Sequence, residues 1–349
     1  MLLSPEELKK SAVLDPSIAE FFAANPSPPL DWNDDVAMKN ALGALSAMTL
    51  QQLGPPEPNL IEEEKEVPMR DDFKSLVKIH RPKDGVHGGG PLIVLIFGGG
   101  WVSGDKDSMT PTARALVRLF KAVVVSISYR LAPEHKFPVG QQDAYDSVKW
   151  LGQHASEIHA DPSKGFLVGG ISAGGTNTAV STLLSIEENM SPKITGQWLC
   201  VPVIMNEEHV PEKYKKHFLS RDHNKEAPIL SDAALKALAK HTQWDPNSPL
   251  RFPILSKVPV EKLPPTFIQA DGLDPLRDDA LIYDEILKQG GVKTRCEFYP
   301  GAPHAHFAFM PGLEITNQAL ADIAVGFGWL LGTEVGAEEG LRAFAPPAY

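Results

Sequence analysis

Six short, nearly unbroken apolar runs constrain what this 349-residue chain can fold into: PLIVLIF (91–97), AVVVSIS (122–128), GFLVGG (165–170), WLCVPVI (198–204), TFIQADG (266–272) and KTRCEFYP (293–300). Helical patterns lie between and after them, near 108–120, 140–158, 174–188, 275–290 and 315–331. A strand with one wet face alternates apolar and polar residues. Continuous runs are buried on both faces, and helix-length connections let successive strands run parallel. Upstream, IEEEKEVPM and FKSLVKIHRP do alternate and read as exposed antiparallel strands, with the Glu-rich stretch 61–66 on a solvated face. The expected fold class is therefore α/β, a mostly parallel central sheet flanked by helices.

The rhythm breaks between 205 and 262. That stretch is long, polar and Pro-containing, with one good helix at 231–241 (SDAALKALAKH). A gap of that size is an inserted helical cap rather than a loop. Residues 1–60 are polar and Pro-rich, with helical pieces at 4–13 and 35–52, the first opened by a capping box of Ser4 and Glu7. The resulting division is 1–60 as the N-terminal part of the cap, 61–204 and 263–349 as the core, and 205–262 as the cap insertion. The small-residue, Pro-rich tail after 333 carries no readable element.

A formal charge of −11 argues against a nucleic-acid partner. The two cysteines, Cys200 and Cys296, sit in apolar or strand-like runs and read as buried free thiols. MLLSPEELKK is not a signal peptide, and no stretch is long and apolar enough for a transmembrane segment. A cytoplasmic protein is the expectation. The oligomeric state is left open, a dimer included.

Gly170-Ile171-Ser172-Ala173-Gly174 follows the strand GFLVGG and opens the helix AGGTNTAVSTLL. This is G-x-S-x-G in the strand–turn–helix context that makes it a nucleophile elbow. The turn is so tight that side chains two residues either side of the serine would clash. The serine is thrust out at the carboxyl edge of the sheet, beside a helix N-terminus that favours developing negative charge. A serine nucleophile needs a base, and the base an orienting acid; on this kind of sheet they follow in the order Ser, acid, His. ADGLDPLRDDA offers Asp271, Asp274, Asp278 and Asp279, and YPGAPHAHF offers His304 and His306, both at carboxyl ends of strands.

Together with Tyr129-Arg130-Leu131-Ala132-Pro133-Glu134, Asp274-Pro275-Leu276-Arg277-Asp278 and Gly301-Ala302-Pro303-His304, the serine motif resembles the hormone-sensitive-lipase-like family of α/β-hydrolase-fold carboxylesterases, fungal members in particular. The blocks occur in that family's order across roughly 92–310, and the cap fits as well. The resemblance implies a triad of Ser172, Asp274 (first Asp of D-P-L-R-D) and His304 (after G-x-x). His306 is then an extra group, exposed or lining the pocket. Asp278 and Asp279 begin a helix and read as solvated first-turn carboxylates.

Two glycine runs compete for the oxyanion hole. His87-Gly88-Gly89-Gly90 precedes strand 91–97 and must emerge at the amino edge, far from Ser172; it reads as a flexible connection. Phe97-Gly98-Gly99-Gly100 follows that strand, where the donors must be. The expected hole is the N–H groups of Gly98, Gly99 and Ala173. Where the family usually has His before the glycines, this chain has Phe97, so either packing holds the loop or the site has shifted toward an unusual substrate. Gly104 and Asp105 begin the next helix, and the resemblance implies that Tyr129–Glu134 buttresses the site.

These residues imply a serine carboxylic ester hydrolase working through an acyl-enzyme on a small or medium apolar ester, with no metal and no organic cofactor. Trp101, Phe218, Trp244 and Phe307 are the candidate pocket lining. An acyltransferase or cyclase on the same fold would share every motif. A non-catalytic small-molecule-binding protein would be expected to lose a triad member, and this chain keeps all three.

Overall fold

The computed structural model describes residues 2–26, 30–85 and 88–345. At its centre lie β1 (Leu60–Pro68), β2 (Lys74–Pro82), β3 (Leu92–Ile96), β4 (Val123–Ile127), β5 (Phe166–Ile171), β6 (Gly196–Cys200), β7 (Thr266–Leu273) and β8 (Thr294–Pro303). They form one sheet in the order β1-β2-β4-β3-β5-β6-β7-β8. β2 runs antiparallel to β1 and β4, and all other pairs are parallel. Every residue of β3 and β4 is buried, whereas β1 is only partly covered. The Glu-rich run is less solvated than expected. Glu62 is largely buried, because Arg114 Nε (2.6 Å), His80 Nδ1 (3.1 Å) and Lys78 Nζ (3.5 Å) gather on its carboxylate.

Eleven α-helices are described: α1 (Pro5–Ser11), α2 (Pro16–Ala24), α3 (Asp35–Leu53), α4 (Thr110–Phe120), α5 (Val139–Gln153), α6 (Ala173–Glu187), α7 (Ser220–His223), α8 (Asp232–Thr242), α9 (Arg277–Gln289), α10 (Glu314–Leu331) and α11 (Ala337–Phe344). α5 packs on α6, while α10 and α11 pack with α4. Three elements differ from the sequence reading. WLCVPVI leaves the sheet at Cys200, because residues beyond it turn to meet α6 and α9. α5 stops at Gln153 and is followed by a separate 3-10 turn, Ala155–Ile158. The unreadable tail forms α11, whose Gly340 fits against Ala324 of α10; small residues let the helices approach but give no periodic signal.

The region from 205 to 262 carries α7, α8 and several 3-10 turns. α8 starts at Ser231, whose hydroxyl accepts from Ala234 N, and its Leu238 reaches the glycine loop after β3: a Cβ on Gly100 would stand 2.5 Å from Leu238 Cδ2. The N-terminal segment reaches α9 (Arg277–Gln289) and β8. Arg277 Nη1 donates to Leu8 O (2.7 Å), and Asp15 N donates to Gly301 O (3.2 Å).

His87 lies outside the described residues. Gly88–Gly90 do lie at the amino edge, since Gly90 pairs with Ala160 just before β3, and Lys164, just before β5, donates to Gly88 O (3.2 Å) and Gly89 O (2.6 Å). The stretch is clamped rather than loosely held, and the close approach of Lys121 O leaves no room for a Cβ on Gly90.

Candidate active site

Four strands deliver the site to one edge of the sheet. Ser172 follows β5, Asp274 follows β7, His304 follows β8, and the glycine run follows β3. Ser172 has φ 56° and ψ −118°, a strained conformation for a residue with a Cβ. The flanking glycines make the turn possible. A Cβ on Gly170 would collide with the backbone of Gly174, and one on Gly174 would run into the Ile96 and Phe97 carbonyl oxygens. The elbow is pinned by Ser172 N donating to Cys200 O at 2.8 Å.

Ser172 Oγ and His304 Nε2 are 2.8 Å apart, and His304 Nδ1 and Asp274 Oδ2 are 2.7 Å apart. Asp274 is fully buried, and its second oxygen accepts from Leu276 N at 2.8 Å. Because a carboxylate only accepts, Nδ1 carries the proton, and neutral Nε2 is left to accept from the serine hydroxyl. The three residues singled out in the sequence are thus brought together as a continuous hydrogen-bonded chain.

Gly98 sits against Ser172: a Cβ there would lie 2.8 Å from Ile171 O and 3.2 Å from Ser172 Cβ. Gly99, at φ 123°, turns its carbonyl toward Val102 N and Ser103 N. Ala173 is the first residue of α6, so its N–H has no intrahelical acceptor. The loop is held by aromatic packing where a histidine was missing. Phe97 is buried and stacks on Tyr129, with centroids 4.3 Å apart and planes 10° apart. Asp105, as expected, caps the following helical turn, accepting from Ser108 N.

The spare acids and the spare histidine are all buried. His306 has Nδ1 3.0 Å from Asp271 Oδ1 and Nε2 3.3 Å from Ile315 O. It is not exposed. Both ring nitrogens face acceptors, so only the imidazolium satisfies both. Burial opposes that charge, but Asp271 outweighs it and raises the His306 pKa, while burial pushes the Asp271 carboxyl up. Asp278 and Asp279 are not solvated either. Asp278 accepts from Leu219 N and Ser220 N, both at 2.6 Å, and pairs with Arg277. Asp279 accepts from Ile204 N (2.9 Å), Met205 N (3.0 Å) and Arg221 Nη2 (2.8 Å). The first turn of α9 therefore ties down residues 204–205 and 219–221 instead of facing water.

Of the aromatic candidates, Trp101 and Trp244 meet on one residue, Arg251, whose guanidinium carbon lies 4.7 Å and 3.9 Å from their ring centroids. Phe218 instead lies under Arg221, and Phe307 packs against His306. Arg251 stands in a polar loop, and nothing in the sequence singles it out. Two surface cavities of about 270 and 280 Å3, lined by residues such as Leu119 and Leu331 or Ile186 and Val258, lie away from the triad.

A family model described as the alpha/beta hydrolase fold matches residues 93–308. An AB hydrolase superfamily protein of Schizosaccharomyces pombe is 35% identical over 243 residues, covering 69% of this chain and 71% of that one. A versiconal hemiacetal acetate esterase of Dothistroma septosporum is 31% identical over 248 residues, covering 71% and 75%. The solved structure of vibralactone cyclase superposes with a TM-score of 0.83 at 28% identity, over 95% of this chain and 98% of that one. With this sheet order and serine elbow, the chain belongs to the α/β-hydrolase-fold family, in its hormone-sensitive-lipase-like carboxylesterase branch. It is a carboxylesterase-type hydrolase. Among the described residues no helix is long and apolar enough to cross a membrane.

Proposed function

We propose that this enzyme cleaves small or medium apolar carboxylic esters through Ser172, His304 and Asp274. The observation that carries the reading is the chain of 2.8 Å and 2.7 Å contacts from Ser172 Oγ through His304 to Asp274. His304 Nε2 takes the serine proton as Oγ attacks the ester carbonyl. Asp274 holds the ring and stabilises the imidazolium. The developing oxyanion is met by the N–H groups of Gly98, Gly99 and Ala173, fixed before substrate arrives. His304 then protonates the departing alcohol, and water, activated by the same nitrogen, releases the acid. Residues 1–60 and 205–262 form the lid over this centre.

A second reading has one observation in its favour, the likeness to vibralactone cyclase. In it, a hydroxyl of the substrate itself intercepts the acyl-enzyme in place of water. The test of the main reading is a series of p-nitrophenyl esters of rising chain length on wild type and Ser172→Ala. The expected result is turnover by wild type that falls by at least about a thousandfold in the variant. Equal ester hydrolysis by the two proteins overturns it, and cyclised product in place of free acid favours the second reading.

A further inference from the structure

Arg251 is 3% exposed, and its Nε and Nη1 are buried without a hydrogen-bond partner. Its guanidinium is enclosed by rings, 3.9 Å from the centroid of Trp244, 4.6 Å from Phe252 and 4.7 Å from Trp101. The carboxylate of Asp279, which acts on it electrostatically, is already engaged by Arg221 and two backbone N–H groups. Burial pulls the Arg251 pKa down to about 9, which leaves it charged at neutral pH. Aromatic faces offset part of the cost of burying a cation, but they accept none of its in-plane N–H bonds.

A second unpartnered donor also belongs to a side chain that touches Trp101. Trp101 Nε1 donates to Asn177 Oδ1 at 2.9 Å, which leaves the fully buried Asn177 Nδ2 without an acceptor. Two side chains in contact with one indole thus each carry buried N–H groups without an acceptor. Buried donors are almost always matched, and the complement of a guanidinium is an oxygen anion, above all a planar carboxylate. The position relates this feature to the chemistry. Trp101 follows the glycine run 98–100, at a φ of 62°. Asn177 is five residues beyond Ser172 on α6, about 7 Å along the helix axis.

We infer that Arg251, together with Asn177, recognises a carboxylate on the substrate, so that the enzyme prefers esters bearing a second, free acid group. The inference rests on the ester-hydrolase reading and alters its substrate, from a wholly apolar ester to one whose apolar chain ends in a carboxylate. The alternative source of the same chemistry is a separate carboxylate ion in solution, and the experiment separates the two.

The experiment measures methanol release from monomethyl adipate and dimethyl adipate by wild type, Arg251→Gln and Arg251→Lys, with thermal unfolding to check that each variant is folded. The readout is the ratio of kcat/KM for the half-ester to that for the diester, which is insensitive to a uniform loss of activity. The expected result is a ratio that falls at least tenfold in Arg251→Gln, through KM, and is partly kept in Arg251→Lys. The same ratio in wild type and Arg251→Gln overturns the inference. So does a response of dimethyl adipate turnover to added acetate that is lost in Arg251→Gln while the ratio stays constant, because the site would then serve a free anion. Should neither variant fold, competition on wild type decides. Adipate dianion is expected to inhibit dimethyl adipate turnover much more strongly than adipamide, and equal inhibition overturns the inference. Diester turnover without any preference for the half-ester would leave the proposed function standing. Absence of Ser172-dependent turnover of any ester would remove both.

Discussion

Tyr129 Oη donates a 3.0 Å hydrogen bond to the carbonyl oxygen of Phe97 while the two rings lie stacked. The Phe97 carbonyl and the Gly98 N–H belong to one planar peptide group. A hydroxyl that fixes the oxygen therefore also fixes the direction in which the opposite N–H points, toward the proposed oxyanion. Tyr129→Phe keeps the stack and removes only this bond. We expect kcat to fall roughly tenfold with little change in KM, less than the hundredfold or more that follows loss of a whole donor. Steady-state kinetics on one p-nitrophenyl ester checks this, and an effect confined to KM would contradict it.

Asp274→Asn preserves the shape of the triad but offers an N–H where His304 Nδ1–H needs an acceptor. The ring is driven to the wrong tautomer. Activity should fall by about three to four powers of ten, with the unfolding temperature little changed. A loss below tenfold at neutral pH would show that another residue orients His304.

The His306–Asp271 pair makes stability depend on pH with a definite sign. The folded-state pKa of His306 lies above its unfolded value of 6.5, so its contribution is complete below about pH 6.5 and is lost as pH rises through the folded value. Asp271, raised from 3.8, acts in the same direction from lower pH. The gap in Tm between wild type and His306→Gln should therefore be largest in mildly acidic buffer and narrow toward pH 9. Calorimetry showing a constant gap would mean that His306 is neutral throughout.

Asp279→Ala strands Arg221 and two buried backbone N–H groups at once. Removal of one partner from a buried pair costs about 3–5 kcal/mol. Urea unfolding should show a stability loss of that order, and a change under 1 kcal/mol would mean that the cap is fastened elsewhere.

What could be read in the sequence followed from local rules. Continuous Val-Ile-Leu runs gave β3 and β4, and the tight turn around Ser172 left glycine as the only fit at 170 and 174. The choice between the glycine runs came from position along the chain, because a strand has only two ends. The contacts of Asp278, Asp279 and Arg251 were hidden for the opposite reason. A first-turn carboxylate reads as solvated unless something covers it, and what covers these two is backbone from 204–205 and 219–220. Long-range burial of that kind leaves no periodic trace. The α11 helix escaped notice because small residues that fit against a neighbouring helix look the same as those of a loose tail.

The acids at 278 and 279 have a bearing on how such a chain can change over time. They stand four and five residues after Asp274, and each holds a different stretch of the inserted segment or its approach. The cover cannot then be treated as an interchangeable part. A chimaera that borrows residues 205–262 from a relative must borrow the start of α9 with them, or leave two carboxylates facing the wrong backbone one helical turn from the triad. Change in the 205–262 segment is thereby tied to inheritance of the stretch that carries Asp274, Asp278 and Asp279.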